Sequence, residues 1–179
     1  MPQITGHLET LYYTSLKTGF GWIRPISNGH SLVRLDWNQT GWDGSDQPDN
    51  VSRETTSQLK AFFAGNLHQF NLPLAPAGKS AAGKKWLEVM AQIPYGTVMT
   101  YSEFAALAGK PKAARAAGSI CASNPIPIIY PCHRVVRADG SLGNYGGGSD
   151  QHPTHPDNLA RKSDLLKLEA NNAGNAAWA

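Results

Sequence analysis

Two neighbouring side chains, Cys132 and His133, carry the clearest chemistry in this 179-residue chain. The stretch from Ile126 to Val136 reads Ile-Pro-Ile-Ile-Tyr-Pro-Cys-His-Arg-Val-Val, so an apolar run delivers a thiol to a proline corner. Thiolate is the reactive form of cysteine, and nearby positive charge or a base lowers the thiol pKa. Arg134 offers the charge and His133 the base, which points to an ionised sulfur at the mouth of a cleft. The plain alternative for Cys132 is a small buried hydrophobe, as free cysteines often are. Adjacent residues of a strand face opposite ways, so thiol and imidazole can cooperate only if the chain bends, and Pro131 favours a bend. A base of this kind also needs a carboxylate from elsewhere to orient it. A cysteine hydrolase fits these residues as well as other thiol chemistry does.

The elements that must hold this stretch can be read on both sides of it. Upstream, Lys84 to Ile93 is a helix with Trp86, Val89, Met90 and Ile93 on one side, ended by Pro94-Tyr95-Gly96. Thr100 with Glu103 forms a capping box for a helix to Ala108 that buries Phe104 and Leu107. Gly109-Lys110-Pro111 is a tight turn, with Pro111 suited to the first position of a helix running from Lys112 to Ser123. Two short helices across such a turn are a helix-turn-helix signal. The second is slim: Ala113, Ala114, Ala116, Ala117 and Gly118 add little bulk and Arg115 alone stands out. Close packing on another helix and entry into a nucleic-acid groove both suit it. Tyr101 at the first helix start suits half-buried packing, and Asn124 suits a helix end before Pro125.

Downstream, Leu142-Gly-Asn-Tyr-Gly-Gly-Gly148 lacks the Gly-Lys-Ser/Thr of a phosphate-cradling loop, and its glycines permit close approach to a planar ligand. Ser149 to Pro156 holds His152 and His155 without a cysteine or carboxylate cluster, which reads as a surface insertion and not a metal site. A final helix from Asp157 to Ala170 places Glu169 on the inward side with Leu165 and Leu166, where a carboxylate needs a partner. The tail to Ala179 reads as loose.

The first half carries no catalytic cluster. Strands are expected over Glu9–Ser15, Phe20–Ile26 and Ser31–Trp37, a helix over Ser52–Ala64, and a further short strand over Phe70–Leu74. The expected organisation is a scaffold domain over 1–76, a linker over 77–83 and a second domain over 84–179. At 41% apolar and 16% charged the chain is globular. Its net charge is only +3, but Lys84 to Arg137 holds seven lysines and arginines against two glutamates, while Asp36 to Glu54 is acidic. That asymmetry suits one nucleic-acid face. Two cysteines, no Cys-x-x-Cys pair, no signal sequence and no bilayer-length apolar run point to a reduced cytoplasmic setting without a membrane partner.

Pro-Cys-His-Arg-Val, with Ser123-Asn124-Pro125 before it and Gly143-Asn144-Tyr145-Gly146-Gly147 after it, resembles the O6-alkylguanine-DNA alkyltransferases. These single-use repair proteins are also called methylated-DNA–protein-cysteine methyltransferases. The resemblance implies an α+β chain, with a small ribonuclease H-like sheet-plus-helix domain followed by a mostly helical, winged helix-turn-helix domain. It implies a monomer that binds double-stranded DNA bearing O6-alkylguanine and uses no cofactor or metal. Cytoplasmic residence follows, nucleoid-associated in a bacterium and nuclear in a eukaryote.

By the same resemblance Cys132 is the alkyl acceptor, His133 its base and Glu169 the group that orients His133. Tyr101 crowds the phosphate beside the lesion and then bonds the flipped guanine. Arg115 replaces the extruded nucleotide, Ala114, Ala116 and Gly118 lie along the groove, and Asn124 is the hinge beside the thiol. Base extrusion is required because the target atom lies inside a duplex. Val135, Pro127, Tyr145, Gly146 and Gly147 line the base pocket, with carbonyls of Cys132 and Val135 receiving the exocyclic amine. Three departures stand out: Ser80-Ala81-Ala82-Gly83 where members carry a Pro-Phe-Gln-like segment, Gly146 where they carry serine, and the longer loop before the last helix. Loss of that serine is expected to loosen the loop. The rival from another class is a non-catalytic module that binds alkylated bases and recruits other factors; relatives of that kind carry tryptophan where this chain has Cys132.

Overall fold

Pro25 lies inside the strand around which the N-terminal sheet assembles. In the computed structural model, which describes residues 10–174, β1 (Tyr12–Tyr13), β2 (Leu16–Thr18), β3 (Gly21–Ser27) and β4 (Leu32–Asn38) form one antiparallel sheet. β4 pairs with one edge of β3 from Trp22↔Asn38 to Ser27↔Leu32. β1 and β2 share the other edge, with Tyr13 opposite Ile26 and Leu16 opposite Ile23. The break between them faces Arg24 and Pro25. Proline has no N–H for that edge, which is why the single strand expected up to Ser15 is split. Glu9 and the tail beyond Gly174 lie outside the described residues.

α1 (Asn50–Phe63) starts on a capping box: Asp49 Oδ1 accepts from Ser52 N–H (2.8 Å) and Ser52 Oγ from Asp49 N–H (3.0 Å). It buries Leu59 and Phe62, while Phe63 stacks on Phe20 at 5.2 Å. The strand expected over Phe70–Leu74 is only a bridge between Leu32 and Leu74. From there the chain follows β4, with Leu32 N–H donating to Pro73 O (2.8 Å), Ala75 N–H to Leu32 O (2.9 Å) and Ala77 N–H to Val33 O (3.0 Å). Pro73 and Pro76 prevent a full ladder but cover the open edge.

α2 (Ala81–Met90) begins three residues before the expected start. Ser80 Oγ accepts from Gly83 N–H, so residues 81–83, expected as linker, are its first turn. β5 (Met99–Thr100) leads into α3 (Tyr101–Leu107), which has the expected capping box of Thr100 and Glu103. Phe104 is buried, but Leu107 is 49% exposed, because the helix ends there and Gly109 (φ 71°) turns the chain away from the core. α4 (Ala114–Ala122) starts later than expected: Pro111 and Lys112 belong to a turn closed by Ala113 N–H to Lys110 O (2.9 Å). A one-turn 3₁₀ helix, Cys132–Arg134, precedes β6 (Val135–Val136), which pairs in parallel with β5. α5 (Pro156–Ala173) closes the described chain, capped by His155, whose Nδ1 accepts from Asp157 N–H.

The architecture is α+β as expected. Buried side chains from both halves, among them Leu35, Phe62, Trp86, Phe104, Cys132 and Leu165, form one apolar cluster. No helix among the described residues is long and apolar enough to cross a membrane. The free edge of β4 continues into the loops that flank the thiol: Leu35 N–H donates to Pro125 O (2.9 Å) and Trp37 N–H to Gly148 O (2.6 Å). Gly148 has φ 72°, and a Cβ there would run into the Leu35 carbonyl. Gly148→Ala is therefore expected to destabilise the fold by about 3 kcal/mol or more, from clash and left-handed strain together. Gly140→Ala, also at positive φ but in open space, should lose only about 1 kcal/mol. Urea unfolding of the two variants checks the difference.

Candidate active site

The apolar run before the thiol is a folded-back loop and not a strand. Ile128 has φ 73°, Tyr130 N–H donates to Ile126 O (3.0 Å), and Cys132 N–H donates to Tyr130 O (2.8 Å). A β-branched residue in that conformation is strained by about 1–3 kcal/mol. Burial of Ile126, Ile128, Ile129 and Tyr130 in the core offsets it. The loop turns at Pro131 into the 3₁₀ helix, which supplies the expected bend.

Cys132 is fully buried. The expectation of an ionised sulfur at the mouth of a cleft is not met: burial pushes the thiol pKa up, so the resting group is a neutral thiol. Against burial stand four groups that favour thiolate: the Asn124 amide, Lys162, and the backbone N–H groups of Cys132 and His133. Asn124 Nδ2 donates to Cys132 Sγ (3.2 Å) and to Tyr130 O (2.7 Å), and its Oδ1 accepts from Ile126 N–H (3.0 Å). One amide thus ties the end of α4 to the thiol loop.

Arg134 does not face the sulfur. It turns into Glu169, donating Nε to Oε2 (2.9 Å) and Nη2 to Oε1 (2.8 Å), while Nη1 reaches Ile93 O. Glu169 also bonds His133 Nε2 (2.7 Å) and accepts from Gly96 N–H (3.0 Å). Burial raises the Glu169 pKa, but His133 and Arg134 outweigh it and bring it to about 2. An ionised carboxylate can only accept, so Nε2 of His133 carries the proton and Nδ1 keeps its lone pair. That Nδ1 is buried and has no hydrogen-bond partner. Burial lowers the His133 pKa, with Glu169 opposing, so the ring is a neutral base at rest.

The positive charge that the thiol does feel comes from Lys162, which the sequence reading did not single out. Its fully buried ammonium donates to the carbonyls of Val135 (2.6 Å), Leu142 (2.5 Å) and Asn144 (3.1 Å), and burial lowers its pKa to about 8. A lysine seven residues before Glu169, two turns back on the inward face of α5, was the available signal. The Val135 carbonyl expected to receive a base amine is already engaged by this lysine.

Tyr101, Ala114, Arg115 and Gly118 meet in an open groove of about 400 Å³, joined by Arg137, Gly143 and Asn144. Arg115 and Ala116 are exposed on α4, though Ala116 does not line the groove. Arg137 was counted only as surface charge in the sequence. The Tyr101 hydroxyl accepts from Asn144 N–H (3.0 Å), and burial pushes its pKa to about 12. Pro127, Val135, Tyr145, Gly146 and Gly147 are buried beside the thiol loop. Gly146 is not a loosened position: a Cβ there would lie 2.7 Å from Ala122 O and 2.9 Å from Pro153 Cγ. Pro153 belongs to the inserted loop, and its carbonyl accepts from Tyr145 N–H (2.8 Å). The insertion thus occupies the space a serine side chain would need.

The chain as a whole is similar to proteins of known family. Residues 82–171 match the family profile described as 6-O-methylguanine DNA methyltransferase, DNA binding domain, and residues 11–76 match its ribonuclease-like domain. A methylated-DNA–protein-cysteine methyltransferase from Methanosarcina barkeri is 45% identical over 167 residues, covering 90% of this chain and 99% of that protein. One from Mycobacterium bovis is 42% identical over 167 residues, covering 91% and 94%. The crystal structure of Mycobacterium tuberculosis OGT in complex with DNA superposes with a TM-score of 0.74 at 32% identity, covering 93% of this chain and 96% of that one.

Because Glu169 titrates at about 2 in the fold and near 4.5 unpaired, it stabilises the fold above pH 4.5, and that stability is lost as pH falls towards 2. Urea midpoints measured from pH 6 to pH 2 should fall through this window. In Glu169→Gln the acid-dependent part should shrink, and stability at pH 7 should drop by about 3–5 kcal/mol because Arg134 is left buried without its partner.

Proposed function

The chain belongs to the 6-O-methylguanine DNA methyltransferase family and repairs DNA by direct alkyl transfer, and from that premise we propose that Cys132 accepts the alkyl group from O6-alkylguanine held in duplex DNA. The observation that carries this reading is the unpartnered Nδ1 of His133, whose lone pair is set by the bond from Nε2 to Glu169. It is a buried base with a free lone pair one residue from the thiol, able to take the thiol proton directly or through one water.

In this reaction His133 Nδ1 takes the proton from Cys132 and becomes imidazolium, which the Glu169 carboxylate stabilises. The thiolate attacks the alkyl carbon; the S–C bond forms as the C–O6 bond breaks, and the electron pair returns to guanine. Tyr101, whose raised pKa keeps it protonated, donates towards the departing base. Lys162 and Asn124 offset the buried negative charge on sulfur during the step. The S-alkyl product is a stable thioether, so each molecule reacts once. Arg115 and Arg137 on the rim of the groove bind the duplex, and the slim face of α4 lets the backbone approach it closely. With the thiol buried and Tyr101 lodged against Gly143 and Asn144, the extruded base enters as this contact opens.

Incubation with duplex DNA bearing O6-methylguanine should add about 14 Da to Cys132 by mass spectrometry, at one equivalent per chain. Cys132→Ala should bind the duplex and gain no mass; repeated turnover, or an adduct elsewhere, would refute the assignment. Lys162→Met should slow alkyl uptake at pH 7 by about tenfold or more and move its pH profile upward, since about 1.4 kcal/mol of lost charge stabilisation shifts the thiol by one unit. Arg115→Ala should slow reaction with duplex DNA and flatten its salt dependence, yet leave reaction with a free O6-alkylguanine base unchanged.

A further inference from the structure

The segment just before α5 is built as a stiff bracket. His152 to His155 form a tight turn, closed by His155 N–H donating to His152 O (2.8 Å). Pro153 takes the second position of that turn, where its fixed φ suits the backbone. Thr154 N–H donates to His152 Nδ1 (3.3 Å). His155 then caps α5 and Pro156 opens it. From within α5, fully buried Asn158 donates Nδ2 to His152 O (3.1 Å), and its Oδ1 accepts from Arg161 Nη1 (3.0 Å). The turn is thereby fixed to the helix that carries Lys162 and Glu169.

This bracket meets the glycine loop at two consecutive residues. Tyr145 N–H donates to Pro153 O (2.8 Å). A Cβ at Gly146 would lie 2.9 Å from Pro153 Cγ and 2.7 Å from Ala122 O. Pro153 therefore fills the corner where the glycine loop meets the end of α4. Ala122 also lines the open groove, across which stand Gly143 and Asn144 of the same loop. The way in from the groove thus runs between α4 and the glycine loop. Both flanks of the loop are pinned. Lys162 holds the carbonyls of Leu142 and Asn144. Beyond the bracket, a Cβ at Gly147 would lie 3.0 Å from Asn124 O, and one at Gly148 would run into the Leu35 carbonyl. Between these pinned stretches, the backbone of residues 145 and 146 is held by the bracket.

We propose that Pro153 is a positioning residue that sets substrate specificity: it fixes the distance of the glycine loop from α4 and so limits the bulk of the alkyl group that can reach Cys132. The proposal rests on the alkyl-transfer reading. Pro153 does not line the groove, and it acts through the backbone of Tyr145 and Gly146. A wall that cannot yield admits a methyl group more readily than a benzyl group, because close-packed surroundings have no spare volume for an added ring. Room for a single methylene in an apolar pocket is worth about 10–200-fold in rate. Pro153→Ala keeps the Cβ and removes the rest of the ring, and Pro153→Gly also frees the turn backbone. Either change lets the loop give way.

The test uses the full chain and duplex DNA bearing either O6-methylguanine or O6-benzylguanine, with adduct formation on Cys132 followed by mass spectrometry. In Pro153→Ala and Pro153→Gly the benzyl-to-methyl rate ratio should rise about tenfold, while the methyl rate stays within about threefold of the native chain. Duplex affinity should not change. Thr154→Ala, exposed in the same turn, should keep the native ratio. Thermal melts establish that each variant is folded, and where Pro153→Gly is not, Pro153→Ala decides. An unchanged ratio overturns the proposal. So does an equal fall in both rates, which would mark a loop that only supports the fold. A native chain that gains no adduct from either duplex refutes the alkyl-transfer reading itself, whereas adducts with an unmoved ratio refute the role of Pro153 alone.

Discussion

One carboxylate, Glu169, holds together most of what matters in the C-terminal half. It accepts from His133, three times from Arg134, and from the Gly96 backbone. Those bonds join α5 to the 3₁₀ turn and to the chain between α2 and β5. They also set the imidazole tautomer, since an acceptor-only group forces the proton onto Nε2. A buried carboxylate is tolerable only with such partners. Here structural fixation and proton bookkeeping are the same set of bonds.

The charges around the thiol have a simple balance. Arg134 and Lys162 are buried cations, and Glu169 is the buried anion that answers the first of them. Lys162 is met by three carbonyl dipoles and by the face of the Tyr101 ring (5.8 Å), with no carboxylate against it among the described residues. With a neutral thiol and a neutral imidazole, the site holds one uncompensated positive charge, and a thiolate would cancel it. Burial raises the thiol pKa, but the surroundings already suit the charged form. The sulfur is kept neutral and protected at rest, in surroundings that favour its ionisation once the proton has somewhere to go.

The N-terminal sheet contributes no group to this chemistry, yet it is not a detached scaffold. β4 bonds Pro125 on one side of the thiol loop and Gly148 at the end of the glycine loop. Gly146 and Gly148 are glycines because backbone and Pro153 approach too closely for a side chain. Pro153 of the loop before α5 then packs where a side chain at residue 146 would otherwise lie. Stiffness of this wall therefore comes from contact with the sheet and the insertion.

Local signals in the sequence were sufficient for much of this. Capping at Thr100 and Glu103, the slim helix with Arg115, the proline before Cys132 and the inward face of α5 carrying Glu169 all depend on residues within a turn or two of each other. Most helix and strand types were legible for that reason, apart from the strand expected over Phe70–Leu74, which is only a bridge, the short β5–β6 pair, and ends where Pro25, Ser80 and Pro111 shift the boundary. What tertiary structure alone decided is which charge faces which atom. Arg134, two residues from the thiol, turns away to Glu169, while Lys162, thirty residues distant in sequence, supplies the cation. Likewise, the burial of the sulfur and the stacking of Arg161 on Trp37 arise from packing between elements far apart in the chain. Sequence order records distance along the chain, whereas electrostatics and burial depend on distance through space.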